Sequence, residues 1–320
     1  MLPGRPGTVA AMQALPNGVQ TIVRAVADLC GASVDDARML HEHSNAAIAL
    51  PAARLLVRIA GSPEAFDRIR QSVEVTRWLA QRDFPCVKPH DLLPFRVEDR
   101  IVSVWQLLDA VEEPPGTGAE LGRILRALHG QPAPPLELRR LTDPLASVAS
   151  AIEQHPDGMT PQDRSWLTNR IDELRSAWAT LTPPLSPGLI HGDAHSNNLI
   201  RLRSGDIVLG DWDHVAHGPR EWDLIQPHYM RRHFNRHSEQ ELREFTDTYG
   251  WDVRSWDEFP TLIQVREITG LSPYIRKAPG QDWAREEVAH RVATLRDEDS
   301  AALWNPPPNS GIQTKVVAPQ

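Results

Sequence analysis

The sequence predicts an α+β chain of two lobes, a small β-rich one followed by a larger, mainly helical one. Three observations carry that reading. Short extended segments crowd the first hundred or so residues around one long helical stretch. The pattern turns helical after the loop signal "EEPPGTG" at Glu112–Gly118. Past the middle, two short apolar runs each lead into a dense polar cluster, "HGDAHSNN" and "GDWDH".

Taken in order, Val19, Ile22, Val23, Val26 and Leu29 recur at helical spacing and Gly31 follows, which predicts a helix over Val19–Cys30. "ARMLHEH", "AAIALP" and "RLLVRIA", separated by turn residues, predict a small antiparallel meander. "GSPEAFDRIRQSVEVTRWLAQRD" opens with Ser62 as a cap and Pro63 in the first turn. Phe66, Ile69, Val73 and Leu79 then form an apolar stripe suited to a helix packed on a sheet. "LLPFRV" and "RIVSVWQLL" complete five strands. Helices are expected at Ala119–Leu128, Leu145–Gln154 and Pro161–Leu181, and again from the motif region to about Trp304. The domains so read are 1–105, 106–304 and a flexible, Pro-rich tail at 305–320.

Composition bounds the partners. With 34 Lys and Arg against 42 Asp and Glu the net charge is −8, unlike a surface made to bind nucleic acid. No apolar run reaches membrane-spanning length, and the Pro- and Gly-broken start lacks a secretion signal's apolar core. The two cysteines, Cys30 and Cys86, form no metal knuckle, which points to a reducing cytoplasmic setting.

The stretch "GLIHGDAHSNNLI", residues 188–200, admits three readings: a surface loop, a zinc site on His191 and His195, or a catalytic loop between two buried strands. Zinc would need both histidines on one helical face, which Gly192 and the Asn197-Asn198 pair oppose. A plain loop must also account for the second polar cluster, which follows the strand "IVL".

His191-Gly192-Asp193, with Asn198 five residues beyond Asp193, resembles the catalytic loop of the aminoglycoside phosphotransferase family, which has the bilobal protein-kinase-like fold. Asp211, eighteen residues after Asp193 and preceded by Ile207-Val208-Leu209, is similar to that family's metal-binding Asp. "GPREWDL" at Gly218–Leu224 resembles the segment that closes the loop. The resemblance extends to the first lobe. It implies a nucleotide-anchoring role for Arg58, with Glu74 as its helix partner, and a hinge at Gln106, Leu107 and Leu108. It also implies a phosphate-covering turn at Ser44 and Asn45.

What the resemblance implies is a small-molecule kinase that uses ATP or GTP with Mg²⁺. Asp193 would orient the acceptor hydroxyl and take its proton late, and Asn198 and Asp211 would hold the metal. Asp213 competes with Asp211 for the metal role. His191 is expected to brace the loop by bonding Asp223, and His195 to meet substrate or lie exposed. Arg at position 58, where Lys is common, presents a larger, forked donor. Asn197 stands where Gly is often found in that family, and Asn tolerates the left-handed backbone expected there. Between Glu239 and Asp299 fourteen acidic residues face eight basic ones, which would suit a cationic acceptor such as an aminoglycoside. The alternatives are a sugar, choline or homoserine kinase, or a pseudokinase that binds nucleotide without turnover. Oligomeric state is not indicated.

Overall fold

A computed structural model describes residues 15–42, 45–111, 116–299 and 301–308. They form two compact units. The first joins residues 1–116 to 132–138 and 197–215, and the second takes 117–131, 139–196 and 216–320. These are not the lobes 1–105 and 106–304 of the sequence reading. Residues 197–215 group with the first unit because their strands hydrogen-bond to its backbone, as at Val87 N–H to Leu209 O (3.1 Å) and Val111 N–H to Arg201 O (3.0 Å).

The first unit is built on an antiparallel sheet of β1 (Arg38–Glu42), β2 (Asn45–Leu50), β3 (Leu55–Ala60), β4 (Phe95–Val97) and β5 (Arg100–Gln106), in the order β1-β2-β3-β5-β4. The alternation of the strands sorts their two faces. Ile48, Leu50, Leu55, Val57, Ile59, Val102 and Val104 pack with Ile22, Val23 and Val26 of helix α1 (Asn17–Cys30). Helix α1 starts two residues earlier than expected and ends at Gly31, whose φ of 62° closes the helix in a left-handed turn. The opposite face carries Ala60 and Ile101, which pack on Ile69 of helix α2 (Phe66–Ala80). Arg58, paired with Ala47 and Ser103, shares that second face. Ser62 gives no backbone cap. Its hydroxyl bonds Glu64 instead, and a short 3-10 turn at Pro63–Ala65 leads into α2.

The second unit is helical: α3 (Gly118–His129), α4 (Ala146–Gln154), α5 (Pro161–Thr180), α6 (Glu221–Leu224), α7 (Gln226–Phe234), α8 (Glu239–Tyr249), α9 (Phe259–Thr269), α10 (Ser272–Lys277) and α11 (Asp282–Arg296). Thr117 and Glu120 close a capping box at the start of α3. Gly122 lets α3 lie on the backbone of α8, since a Cβ there would come within 2.5 Å of Phe245 O. The expected tail is held at its start: Asn305 N–H donates to Glu287 (2.8 Å), just after Trp304, which stacks on His233 at 3.7 Å. No helix among the described residues is long and apolar enough to cross a membrane.

His228 on α7 lies edge-on to Phe245 and Phe259. Burial pushes its pKa down to about 4, with Arg254 adding to the shift. The native fold therefore holds this ring neutral, while the unfolded chain protonates it near the ordinary value of 6.5. Stability should fall as the pH drops from that value toward 4, by roughly 3 kcal/mol from this group, and should level off below. In His228→Leu, urea unfolding at a series of pH values should show a flatter slope across that window. An unchanged slope would remove His228 as its source.

Candidate active site

Two sets of polar side chains answer the motif, one in each unit. In the second unit, β6 (Gly188–Ile190) pairs antiparallel with β9 (Ala216–Gly218), and the chain leaves β6 directly into His191, Gly192 and Asp193. Leu189 and Ile190 are buried and fix the entry to the loop. Gly192 has φ 86°, a conformation that side chains resist. Residues 191–195 are not helical, so His191 and His195 do not share a helical face and the zinc geometry fails.

The loop is pinned from α6. Asp223, fully buried, accepts the N–H of His191 at 2.7 Å and of Gly192 at 2.8 Å. Its neighbour Trp222 donates its indole N–H to Gly192 O at 3.0 Å. His129 of α3 contacts Asp223 Oδ2 through Nε2 at 3.2 Å, and its Nδ1 meets the Tyr249 hydroxyl at 2.9 Å. The expected brace between positions 191 and 223 exists, through the backbone amide of His191. The His191 ring is fully buried.

Asp193 stands at the tip of this loop with its side chain 26% exposed. Its Oδ1 accepts from Arg266 Nη2 at 2.9 Å and from Gln226 Nε2 at 3.2 Å. His195 Nε2 lies 3.8 Å from Asp193 Oδ2, and the His195 side chain is 20% exposed, so this ring attends the carboxylate.

The first unit contributes the second polar set. β7 (Leu199–Arg201) pairs with β8 (Ile207–Leu209). Leu199 is buried, but Ile200 is half-buried, so the trailing apolar pair anchors less than the leading one. Asn198 ends a 3-10 turn at Ser196–Asn198, and its carbonyl accepts the N–H of Gly210 at 2.8 Å. That bond ties the Asn198 turn to the residue before Asp211. Asn197 is not among the residues with positive φ, so no left-handed backbone is required of it.

Asp211 adopts φ 54° and ψ 61°, a costly conformation that Asp tolerates better than most residues. Its side chain is 50% exposed, whereas that of Asp213 is 9% exposed. Between them Trp212 is fully buried, donates to Leu209 O at 2.9 Å and stands edge-on to Phe84. The carboxylate of Asp211 and the amide oxygen of Asn198 are ligand types that suit Mg²⁺.

Arg58 does not pair with Glu74. It takes Asp213 in a two-pronged contact, Nη1 to Oδ1 at 3.4 Å and Nη2 to Oδ2 at 3.2 Å, and its Nη2 is 3.6 Å from Asp211. Two carboxylates attract the forked guanidinium more than one on the neighbouring helix. Glu74 on α2 is half-buried. In the expected hinge the N–H of Gln106 goes to Lys88 O (2.9 Å) and that of Leu107 to Arg54 O (2.7 Å), so both amides are engaged within the protein. Leu108 follows, half-buried. Asn45 opens β2 opposite Ala60, and Ser44 lies outside the described residues.

Arg266, Gln226, Trp222 and His129 were missed in the sequence. Their spacing to the motif carries no regularity. One signal was available: Arg266-Glu267 interrupts the apolar run of α9, and charges placed in a buried helix need partners.

A polar loop held rigidly at its backbone and a second carboxylate turn with an amide neighbour are the parts of a phosphotransferase. The sequence profile of the phosphotransferase enzyme family (APH) matches residues 37–259. The chain belongs to that family. No curated protein matches it significantly. Its fold is similar to that of spectinomycin phosphotransferase in complex with ADP and spectinomycin, at 14% identity over 87% of this chain and 93% of that one, TM-score 0.58. It is likewise similar to a thermostable mutant of aminoglycoside phosphotransferase APH(4)-Ia, at 17% identity over 85% and 98%, TM-score 0.61. Choline kinase LicA from Streptococcus pneumoniae matches at 14% identity over 87% and 100%, TM-score 0.60. The fold is the α+β, protein-kinase-like one, and the chain is a small-molecule kinase with a hydroxyl acceptor.

Two predictions follow from these contacts. Asp223→Ala would strip the acceptor from the buried amide of His191, the part-buried amide of Gly192 and His129. It should cost about 3–5 kcal/mol in urea unfolding and abolish transfer, while Asp223→Asn, which keeps one oxygen, should cost less. A loss under 1 kcal/mol for the alanine variant would show that the loop is held by other means. In a double-mutant cycle on stability, Arg58→Ala and Asp213→Ala should couple by roughly 0.5–3 kcal/mol, while Arg58→Ala and Glu74→Ala should add. Coupling to Glu74 alone would restore the sequence-based pairing.

Proposed function

We propose that the chain transfers the γ-phosphate of ATP or GTP to a hydroxyl of an aminoglycoside or a similar hydroxylated antibiotic. The observation that carries the reading is Asp193, a partly exposed carboxylate at the tip of a loop pinned through its backbone. Asp193 orients the acceptor hydroxyl. The acceptor oxygen bonds to the γ-phosphorus as the bond to the bridging oxygen breaks, a nucleoside diphosphate leaves, and the hydroxyl proton passes to Asp193 and then to water. Asn198 and Asp211 would hold Mg²⁺, which when bound neutralises charge on the phosphates. Asp211 is favoured over Asp213 by its greater exposure, 50% against 9%, and because Asp213 is taken by Arg58. The ADP and spectinomycin in one structural neighbour support a nucleotide and an antibiotic as substrates.

A second reading, a sugar kinase or another metabolic kinase with an uncharged acceptor, is favoured by how the acidic surplus is used. Glu239, Asp252, Glu267 and Glu287 are engaged by Arg254, Arg231, Arg232, His233 and Arg291, and the charge set against Asp193 is a guanidinium. That weakens the case for a strongly cationic acceptor.

A panel of aminoglycosides, spectinomycin, choline and sugars with Mg-ATP or Mg-GTP, read by the mass gain of one phosphate, should identify an acceptor. Asp193→Asn should then lower transfer by about 10²–10⁴-fold with nucleotide affinity and melting temperature little changed. Mg-nucleotide titrations should show a larger affinity loss for Asp211→Ala than for Asn198→Ala or Asp213→Ala. Near-normal transfer by Asp193→Asn would end the catalytic assignment. A largest loss at Asp213 would reassign the metal carboxylate.

A further inference from the structure

The second unit contains a device on Asp193 that the general phosphotransferase chemistry does not require. Arg266 on α9 reaches Asp193 Oδ1 with Nη2 at 2.9 Å. Its Nε donates to Gln226 Oε1 at 2.5 Å, and Gln226 Nε2 donates to the same Asp193 oxygen at 3.2 Å. The three side chains close a ring in which each fixes the other two.

The ring is itself held. Gln226 is 4% exposed at the start of α7, and the Arg266 side chain is 15% exposed. The guanidinium lies 5.2 Å from the ring centre of Tyr229 and 5.9 Å from that of Trp222, both aromatic faces that favour a cation. Trp222 also holds Gly192 O, so one indole supports both the backbone of the loop and the arginine that grips its carboxylate. Such preorganisation costs entropy once, in folding, rather than at each turnover.

We propose that Arg266, with Gln226, is a positioning residue for the reaction. It locks the Asp193 carboxylate in one orientation, so that the acceptor hydroxyl meets a fixed acceptor oxygen instead of a rotating one. The inference rests on the reading of Asp193 as the group that orients the acceptor. A carboxylate on a partly exposed loop tip has two side-chain torsions to settle. Here two donors on one oxygen settle both, and the charge-assisted bond from Arg266 is the stronger of the two. Lysine could supply the charge but not the fork that reaches Asp193 and Gln226 together.

The test is a set of steady-state measurements on the full chain with the best acceptor from the substrate panel. Arg266→Met should lower kcat by about 10- to 100-fold, with the KM for nucleotide unchanged within about 2-fold, because the effect lies on acceptor orientation. Arg266→Lys should recover part of the loss, and Gln226→Leu should show a smaller fall of the same kind. In an Asp193→Asn background, where there is no carboxylate to position, Arg266→Met should cost less than about 3-fold. A purely structural role would cost the same in both backgrounds. It would show as a lower melting temperature and a fall in active fraction, with no recovery by lysine.

Equal losses in the two backgrounds, or a folded Arg266→Met with normal kcat, would overturn the proposal. If Arg266→Met does not fold, Gln226→Leu measured in the same two backgrounds decides by the same comparison. If Asp193→Asn alone leaves transfer intact, the reading of Asp193 fails instead. An impaired Asp193→Asn beside an unimpaired Arg266→Met refutes the positioning role alone.

Discussion

The loop that carries Asp193 depends on one buried carboxylate. Asp223 has no exposed surface and collects the backbone N–H groups of His191 and Gly192 on its two oxygens, with the His129 ring against one of them. A buried carboxylate without donors is expensive, and buried amides without acceptors are too, so each side of this arrangement holds the other in place. The interaction acts through the main chain, which leaves the side chain of Asp193 to project from a backbone that cannot turn. Gly192 completes the constraint, since the positive φ it adopts lets two successive amides converge on one carboxylate.

Around that constraint the two units use charge in different ways. In the second unit a guanidinium and an amide fix the orientation of Asp193. In the first, Arg58 closes its fork on Asp213, lies 3.6 Å from Asp211, and leaves Asp211 the more exposed of the two. Asp211 also bears backbone strain, at a residue where a carboxylate must be aimed rather than merely present. Nearby packing is buried and aromatic, with Trp212 fixed by its own indole hydrogen bond and by Phe84. Grease and strain thus hold a small number of polar atoms in place.

Much of this was legible in the sequence, and the reasons are specific. The helices and strands came from periodicity, because Ile22, Val23 and Val26 and the alternation in Leu55–Ala60 record burial directly, whereas Leu29, at the same helical spacing, is 58% exposed at the end of its helix. The sequence suggested a bond from His191 to Asp223, but the contact runs through the backbone amide of His191, which no side-chain pattern encodes. Contacts between side chains far apart in sequence were not legible. Nothing in the spacing of Arg58 says that its fork prefers Asp213, 155 residues away, to a glutamate on the next helix. Nor does it say that Arg266 and Gln226 converge on Asp193 from α9 and α7. The grouping of residues 197–215 was not legible for a similar reason, because they lie between two segments of the second unit in sequence but hydrogen-bond with the first.

Asp223 holds the His191–Gly192 backbone still. Amide hydrogen exchange at those two residues tests it most directly. Both N–H groups should exchange at rates close to those of β6, near the limit set by global unfolding of the second unit, despite lying in a loop. Exchange at the rate of an exposed loop, with β6 still protected, would show that the carboxylate does not restrain the backbone and would contradict the account.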